Sequence, residues 1–237
     1  MAIRGVLFDW GGTIVRDDAV RFTAPSAAVA SYAQKRLELA LQPADIERAI
    51  QAVLPDYRPG ETETAPHLSC VLGQAFTWLG VEAGASDVDS CSRLFFEEAT
   101  AGLEVYDDAR ALLASLRYRG FSIGVVTNAI FPAALFAPRV SQLGLAGYLD
   151  TFVSSADLGR AKPNPEPFRK ALTDLRLEPE EALFVGDTVE TDIVGAQAAG
   201  MRAVLLERSG QARDRAGSLV IERLTALNEF LGASGPR

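Results

Sequence analysis

Five apolar stretches, separated by helical periodicity, constrain this chain more than any other feature. The first strand runs over about 3–9. "FSIGVVTNA" (121–129), "DTFVSSADL" (150–158), "EALFVGD" (181–187) and "MRAVLLE" (201–207) follow after a long gap. Each has the length and apolar content of a buried strand. Strands buried on both faces belong to parallel sheets, whose right-handed crossovers place a helix between successive strands. Helical patterns stand between these strands, in "PEPFRKALTDL" (165–175) and "ETDIVGAQAAG" (190–200). The alternation predicts an α/β fold, a Rossmann-like parallel sheet with helices on both faces.

The gap has a different texture. Between the first and second strands, roughly ninety residues show helical spacing and no convincing strand. Pro25 and Pro43 suit first-turn positions opening "SAAVASYAQKRLELAL" and "ADIERAIQAVL". After the Pro-rich "PDYRPGETETAP", two more helices read from "HLSCVLGQAFTWLG" and "DVDSCSRLFFEEAT". This predicts a core domain of residues 1–15 and 105–237, with an all-helical insertion over 16–104.

Composition narrows the function. A net charge of −8 argues against a nucleic-acid partner, which needs a basic surface. No apolar run approaches the roughly 20 residues of a membrane span, and the first apolar run is too short for a signal peptide. Cys70 and Cys91 make neither a disulfide framework nor a metal spacing. These points predict a cytoplasmic protein without a nucleic-acid or membrane partner, and a monomer or homodimer is expected. Lysine occurs only at 35, 162 and 170.

In open parallel sheets, functional groups collect beyond the carboxyl ends of the strands. Strand one ends on Asp9, the second on Thr127 and Asn128, and "ALFV" on Gly186 and Asp187, with Asp192 shortly after. Lys162 follows the "TFVSS" strand. The acids suit a hard divalent cation such as Mg²⁺. Thr127, Asn128 and Lys162 suit the anionic oxygens of a phosphoryl group, with the lysine as a point charge.

Four motifs in order, "FDWGGT", "VVTNA", "AKPNPEPF" and "VGDTVETDIVGAQAAGM", resemble those of the haloacid dehalogenase (HAD) superfamily of hydrolases. The segment 16–104 is similar to the helical (C1) cap of its phosphatase-like branch. The resemblance implies an Mg²⁺-dependent phosphohydrolase acting on a small phosphorylated metabolite through an aspartyl-phosphate. It implies Asp9 as nucleophile and metal ligand, Asp187 as second metal carboxylate, and the backbone carbonyl of Gly11 as a further ligand. Asp192 would hold metal-bound water or orient Lys162. Thr127 and Lys162 would neutralise the phosphoryl oxygens, and Asn128 would help to hold them.

One position departs from that pattern. Phosphatases of the superfamily usually carry a second Asp two residues after the nucleophile as general acid and base, and here Gly11 stands there. Such proton help is worth about a hundred- to ten-thousandfold. Asp17, Asp18 and His67 are candidate replacements. The small residue also resembles phosphonoacetaldehyde hydrolases, which form a Schiff base with a cap lysine; the only lysine in the inserted segment is Lys35. It further suits the 2-haloacid dehalogenases, which dispense with the second Asp and need no metal pair, and a catalytically weak binding or regulatory protein. Trp78, Phe76, Phe95 and Phe96 read as packing within the helical segment rather than a substrate pocket, with Trp10 better placed beside the nucleophile.

Overall fold

The computed structural model describes residues 2–16, 23–54, 64–209 and 219–232. Asp17 and Asp18 lie outside them. The chain opens with β1 (Gly5–Phe8) and β2 (Val15–Arg16), then α1 (Thr23–Arg36), α2 (Pro43–Val53), α3 (Leu68–Trp78) and α4 (Ala85–Ala99). It returns through β3 (Glu104–Val105) to α5 (Asp107–Tyr118), β4 (Ser122–Thr127), α6 (Ala133–Gln142), β5 (Thr151–Ser154) and α7 (Ser155–Leu158). The rest comprises α8 (Glu166–Leu175), β6 (Ala182–Gly186), a π turn (Val189–Ile193), α9 (Val194–Ala198), β7 (Arg202–Leu206), β8 (Leu219–Ile221) and α10 (Leu227–Phe230).

Six strands form one parallel sheet in the order β5-β4-β1-β6-β7-β8. Strand alternation sends side chains to both faces, and both faces are apolar. Val6, Phe8, Ile123, Val125, Leu183 and Val185 join the larger core with residues of α1–α6. Leu7, Val126 and Phe184 face the other way, onto Phe168 and Leu172 of α8 and Ala196 of α9. Burying a side chain of this size is worth about 1.5–3 kcal/mol, so β1, β4 and β6 anchor the fold.

Helices α1–α4 are inserted between β2 and β3, which pair antiparallel through Val15 with Val105 and Arg16 with Glu104. The inserted helices pack onto the α/β part. Phe96 of α4 stacks edge-on against Phe131 and Phe136, at centroid distances of 5.2 and 5.0 Å. The Arg139 guanidinium donates to Thr100 Oγ1 and to the Glu97 carbonyl. The amide of Leu68 donates to the Ile130 carbonyl and that of Ala65 to Gly159.

Two expectations shift in detail. The strand read over 150–158 stops at Ser154, because Ser154 Oγ accepts from the Ala156 amide and starts the turn of α7. The sheet also gains β8, three residues too short to stand out in the sequence.

Candidate active site

The carboxyl edge of the sheet gathers the polar strand ends around Asp9. β1 lies between β4 and β6, with Phe8 level with Val125 and Val185. The ladder runs one step further, the Asp9 amide donating to the Val185 carbonyl at 2.9 Å. The carboxylate therefore leaves the sheet at its centre on a fixed backbone. It is buried, with 8% of the residue exposed.

Lys162 is the hub. Its ammonium, on a side chain only 2% exposed, lies 2.6 Å from Asp9 Oδ1 and 2.6 Å from Asp192 Oδ1. The Phe184 ring supports it from 5.5 Å. Burial works against the charge, and the two carboxylates outweigh it, holding the ammonium above the ordinary lysine range. Asp192 Oδ1 accepts from the same ammonium that reaches Asp9. Its second oxygen accepts from the Thr188 amide at 3.1 Å.

Asp187 stands at the solvent side, and one ligand oxygen each from Asp9, Asp187 and Asp192 lie within 4.8 Å of one another. Burial and the neighbouring Asp192 and Asp187 charges push the Asp9 carboxyl up to about 7 despite Lys162. Asp187 is raised too, by desolvation and then by Asp192. Crowded carboxylates of this kind are what a hard cation relieves. Two glycines make the room. At Gly12, whose φ is +72°, a Cβ would collide with Asp187 Oδ2, and at Gly186 one would collide with the Asp192 carboxylate. The residues present fit a divalent cation at this edge.

Thr127 ends β4 level with Ser154, buried at the same edge. Asn128, expected to help hold phosphoryl oxygens, is paired here with the backbone of Lys162. Its Nδ2 donates to the Lys162 carbonyl at 2.9 Å, and its Oδ1 accepts from the Lys162 amide at 2.8 Å. Gly11 lies half-buried in the loop after Asp9 and makes a bridge with Val15.

The remaining candidates separate clearly. His67 caps α3, its Nδ1 accepting from the Ser69 amide at 3.3 Å and pairing with Ser69 Oγ at 2.8 Å. Lys35 is exposed on the last turn of α1. Phe76, Phe95 and Phe96 are buried as expected, whereas Trp78 is 57% exposed and belongs to no core. Trp10 packs edge-on against Phe136 and Phe152, and its buried Nε1 has no hydrogen-bond partner among the described residues. Arg208, which sequence reading passed over, donates to the Gly12 and Thr13 carbonyls of the loop after Asp9. Its only sequence signal is its position just after the last strong strand.

A parallel sheet carrying three acids and a buried ammonium at its carboxyl edge defines a Rossmann-like hydrolytic enzyme. The chain matches the haloacid dehalogenase-like hydrolase family over residues 3–200 and belongs to that family. A glyceraldehyde 3-phosphate phosphatase of Methanopyrus kandleri is 29% identical over 206 residues, covering 87% of this chain and 84% of that protein. A phosphoglycolate phosphatase of Yersinia pseudotuberculosis is 32% identical over 203 residues, 84% of this chain and 78% of its own. A solved 2-haloacid dehalogenase from Pseudomonas syringae superposes with a TM-score of 0.71 at 26% identity, covering 97% of this chain and 98% of that one. A HAD phosphatase from Thermococcus onnurineus shares the fold, with a TM-score of 0.66 at 23% identity and coverage of 98% and 99%. The chain is an enzyme, a phosphatase-like hydrolase. No helix among the described residues is long and apolar enough to cross a membrane.

Proposed function

We propose that this enzyme is an Mg²⁺-dependent phosphohydrolase of a small phosphorylated metabolite, working through an aspartyl-phosphate on Asp9. The observation that carries the reading is the position of the Lys162 ammonium, 2.6 Å from both Asp9 and Asp192, two of the three acids clustered with Asp187. One lysine there opposes the burial that favours the protonated nucleophile, and neutralises an incoming phosphoryl group. Asp9, Asp187 and the Gly11 carbonyl would hold the cation, which supplies the positive charge that lets one anion approach another. Asp9 Oδ attacks phosphorus as the P–O ester bond breaks, the departing alkoxide takes its proton from solvent, and water then attacks the acyl-phosphate at phosphorus, releasing inorganic phosphate and restoring the carboxylate. Thr127 and Lys162 hold the phosphoryl oxygens. Asp192 orients Lys162, and Asn128 acts through the Lys162 backbone.

The phosphatases named among the relatives support a small, anionic substrate of the phosphoglycolate or glyceraldehyde 3-phosphate kind. Residues 16–104 serve as the cap over the core formed by 1–15 and 105–237, in the cytoplasm. The test is phosphate release from a panel of small phosphorylated metabolites with Mg²⁺ and with EDTA. Mg²⁺-dependent release from at least one supports the reading, and release that persists in EDTA contradicts it.

Gly11 and the likeness to the Pseudomonas syringae 2-haloacid dehalogenase favour a second reading. There Asp9 would attack carbon and displace halide, with no role for a cation. Halide release from a 2-haloacid in EDTA would establish it. Against it stands the Asp187 carboxylate, which that chemistry leaves without work.

A further inference from the structure

The loop after Asp9 carries two successive glycines, so few side chains can hold its course. Its own backbone supplies part of the restraint. The Trp10 carbonyl accepts from the Ile14 and Val15 amides at 2.9 and 3.0 Å, and the Gly12 amide donates to Val15 at 2.9 Å. The rest comes from the far end of the chain. Arg208 Nε donates to the Gly12 carbonyl at 3.2 Å, and Nη2 to the Thr13 carbonyl at 2.9 Å.

The same guanidinium is itself fixed on every side. Nη1 and Nη2 donate to the two oxygens of Asp108 at 3.0 and 3.1 Å. Its flat face lies 3.7 Å from the centroid of the Tyr106 ring. Asp108 Oδ2 accepts in turn from the Leu224 amide at 2.9 Å. Tyr106 follows β3, and its amide donates to the Ile14 carbonyl at 3.0 Å. One planar group thus ties the loop after Asp9 to the return strand of the inserted helices and to the start of α5.

We propose that Arg208 is a positioning residue for hydrolysis, setting the course of Trp10–Thr13 and through it the Asp9 carboxylate and the Gly11 carbonyl. The proposal rests on the reading of Asp9 as nucleophile and Gly11 as cation ligand. The guanidinium is paired with Asp108, so its effect on the site is geometric rather than electrostatic. A rigid fork is required, because two carbonyls and a bidentate carboxylate must be met in one plane, which an ammonium cannot do. Small displacements of reacting groups cost rate steeply, about a hundredfold for an ångström.

The test compares wild type, Arg208→Lys and Asp108→Asn at a temperature where each is folded. It reads kcat and KM on p-nitrophenyl phosphate, the pH profile, and Mg²⁺ affinity by calorimetry. Arg208→Lys is expected to lose about tenfold or more in kcat with KM within about twofold, and to bind Mg²⁺ about fivefold more weakly. Asp108→Asn, which keeps both donors to the loop, loses less, and neither variant moves the midpoint of the acid limb. Melting temperatures that fall while kcat and Mg²⁺ affinity stay at wild-type values would overturn the proposal and leave Arg208 a stability residue. A shifted acid limb would overturn the geometric account. If Arg208→Lys does not fold, Arg208→Gln takes its place, and unchanged kcat and Mg²⁺ affinity in that variant overturn the proposal equally. A wild type that neither binds Mg²⁺ nor hydrolyses the ester sinks the functional reading itself, a result distinct from equal behaviour of active variants.

Discussion

The side-chain amide of Asn128 closes on the backbone of Lys162 at both ends, Nδ2 to the carbonyl at 2.9 Å and Oδ1 to the amide at 2.8 Å. On the reading proposed above, this pairing fixes where the lysine side chain starts. Asn128→Asp keeps the acceptor and replaces the donor with a repelling oxygen. Its kcat on p-nitrophenyl phosphate should fall by about tenfold, with the larger part of the loss in kcat rather than KM. A loss confined to KM would return Asn128 to the role of a phosphoryl ligand.

Lys162 itself should not tolerate the usual exchange of cations. It sits in a closed space between two carboxylates and the Phe184 ring, where a compact ammonium fits and a flat fork does not. Lys162→Arg should cost about tenfold or more in kcat/KM. Lys162→Met, which strands two buried carboxylates, should also destabilise by about 3–5 kcal/mol. Thermal melts of both variants beside their kinetics check this, and a fully active arginine variant contradicts it.

The acid at Asp9 also has a signature in stability. Its carboxyl is pushed from 3.8 up to about 7, first by burial and then by Asp192 and Asp187. The folded state therefore holds a proton that the unfolded chain has released, between about pH 4 and 7. The stabilisation from that proton is complete below pH 4 and lost as the pH rises through about 7. In metal-free protein, Asp9→Asn should consequently gain in melting temperature relative to wild type as the pH climbs through this window. Adding Mg²⁺ should narrow the difference by stabilising the wild-type carboxylate. A gap that stays constant from pH 4 to 8 would contradict the burial argument.

Position 11 makes a prediction about leaving groups. An alkoxide needs a proton as it departs and a nitrophenolate does not. With glycine at 11, no carboxylate stands where the family's proton donor usually does, and His67 is occupied as a helix cap. The enzyme should prefer p-nitrophenyl phosphate over a sugar phosphate, and Gly11→Asp should gain mainly on the sugar phosphate. Equal turnover of the two esters by wild type would show that another group moves the proton.

Much of this site is legible in the sequence, for a physical reason. Asp9, Thr127, Asp187 and Asp192 each stand at or just beyond the end of an apolar run, and a parallel sheet brings such ends together. Lys162 stands out by its place in the loop region after the "TFVSS" strand. Asn128 stands out in the sequence at a strand end, but its pairing with the Lys162 backbone does not, because a side-chain amide pairs equally well with a ligand or with a backbone. Arg208 was hidden because its partners are carbonyls 196 and 195 residues away, which no local pattern encodes. Trp78 was misread because its spacing suits a buried helix face, while the helix ends there and leaves the ring in solvent. The boundary of β5 was missed because serine continues a strand in pattern but stops it by capping.

The central claim is that Asp9 is the nucleophile, and its most direct test is the turnover of Asp9→Asn at saturating Mg²⁺. Asparagine keeps the shape and an acceptor for Lys162, so the fold should persist by circular dichroism and melting. Phosphate release from the best substrate should fall by about three orders of magnitude or more, as expected when a covalent nucleophile is removed. Turnover of purified Asp9→Asn within about tenfold of wild type would contradict the account, because water or another residue would then be attacking the phosphoryl group.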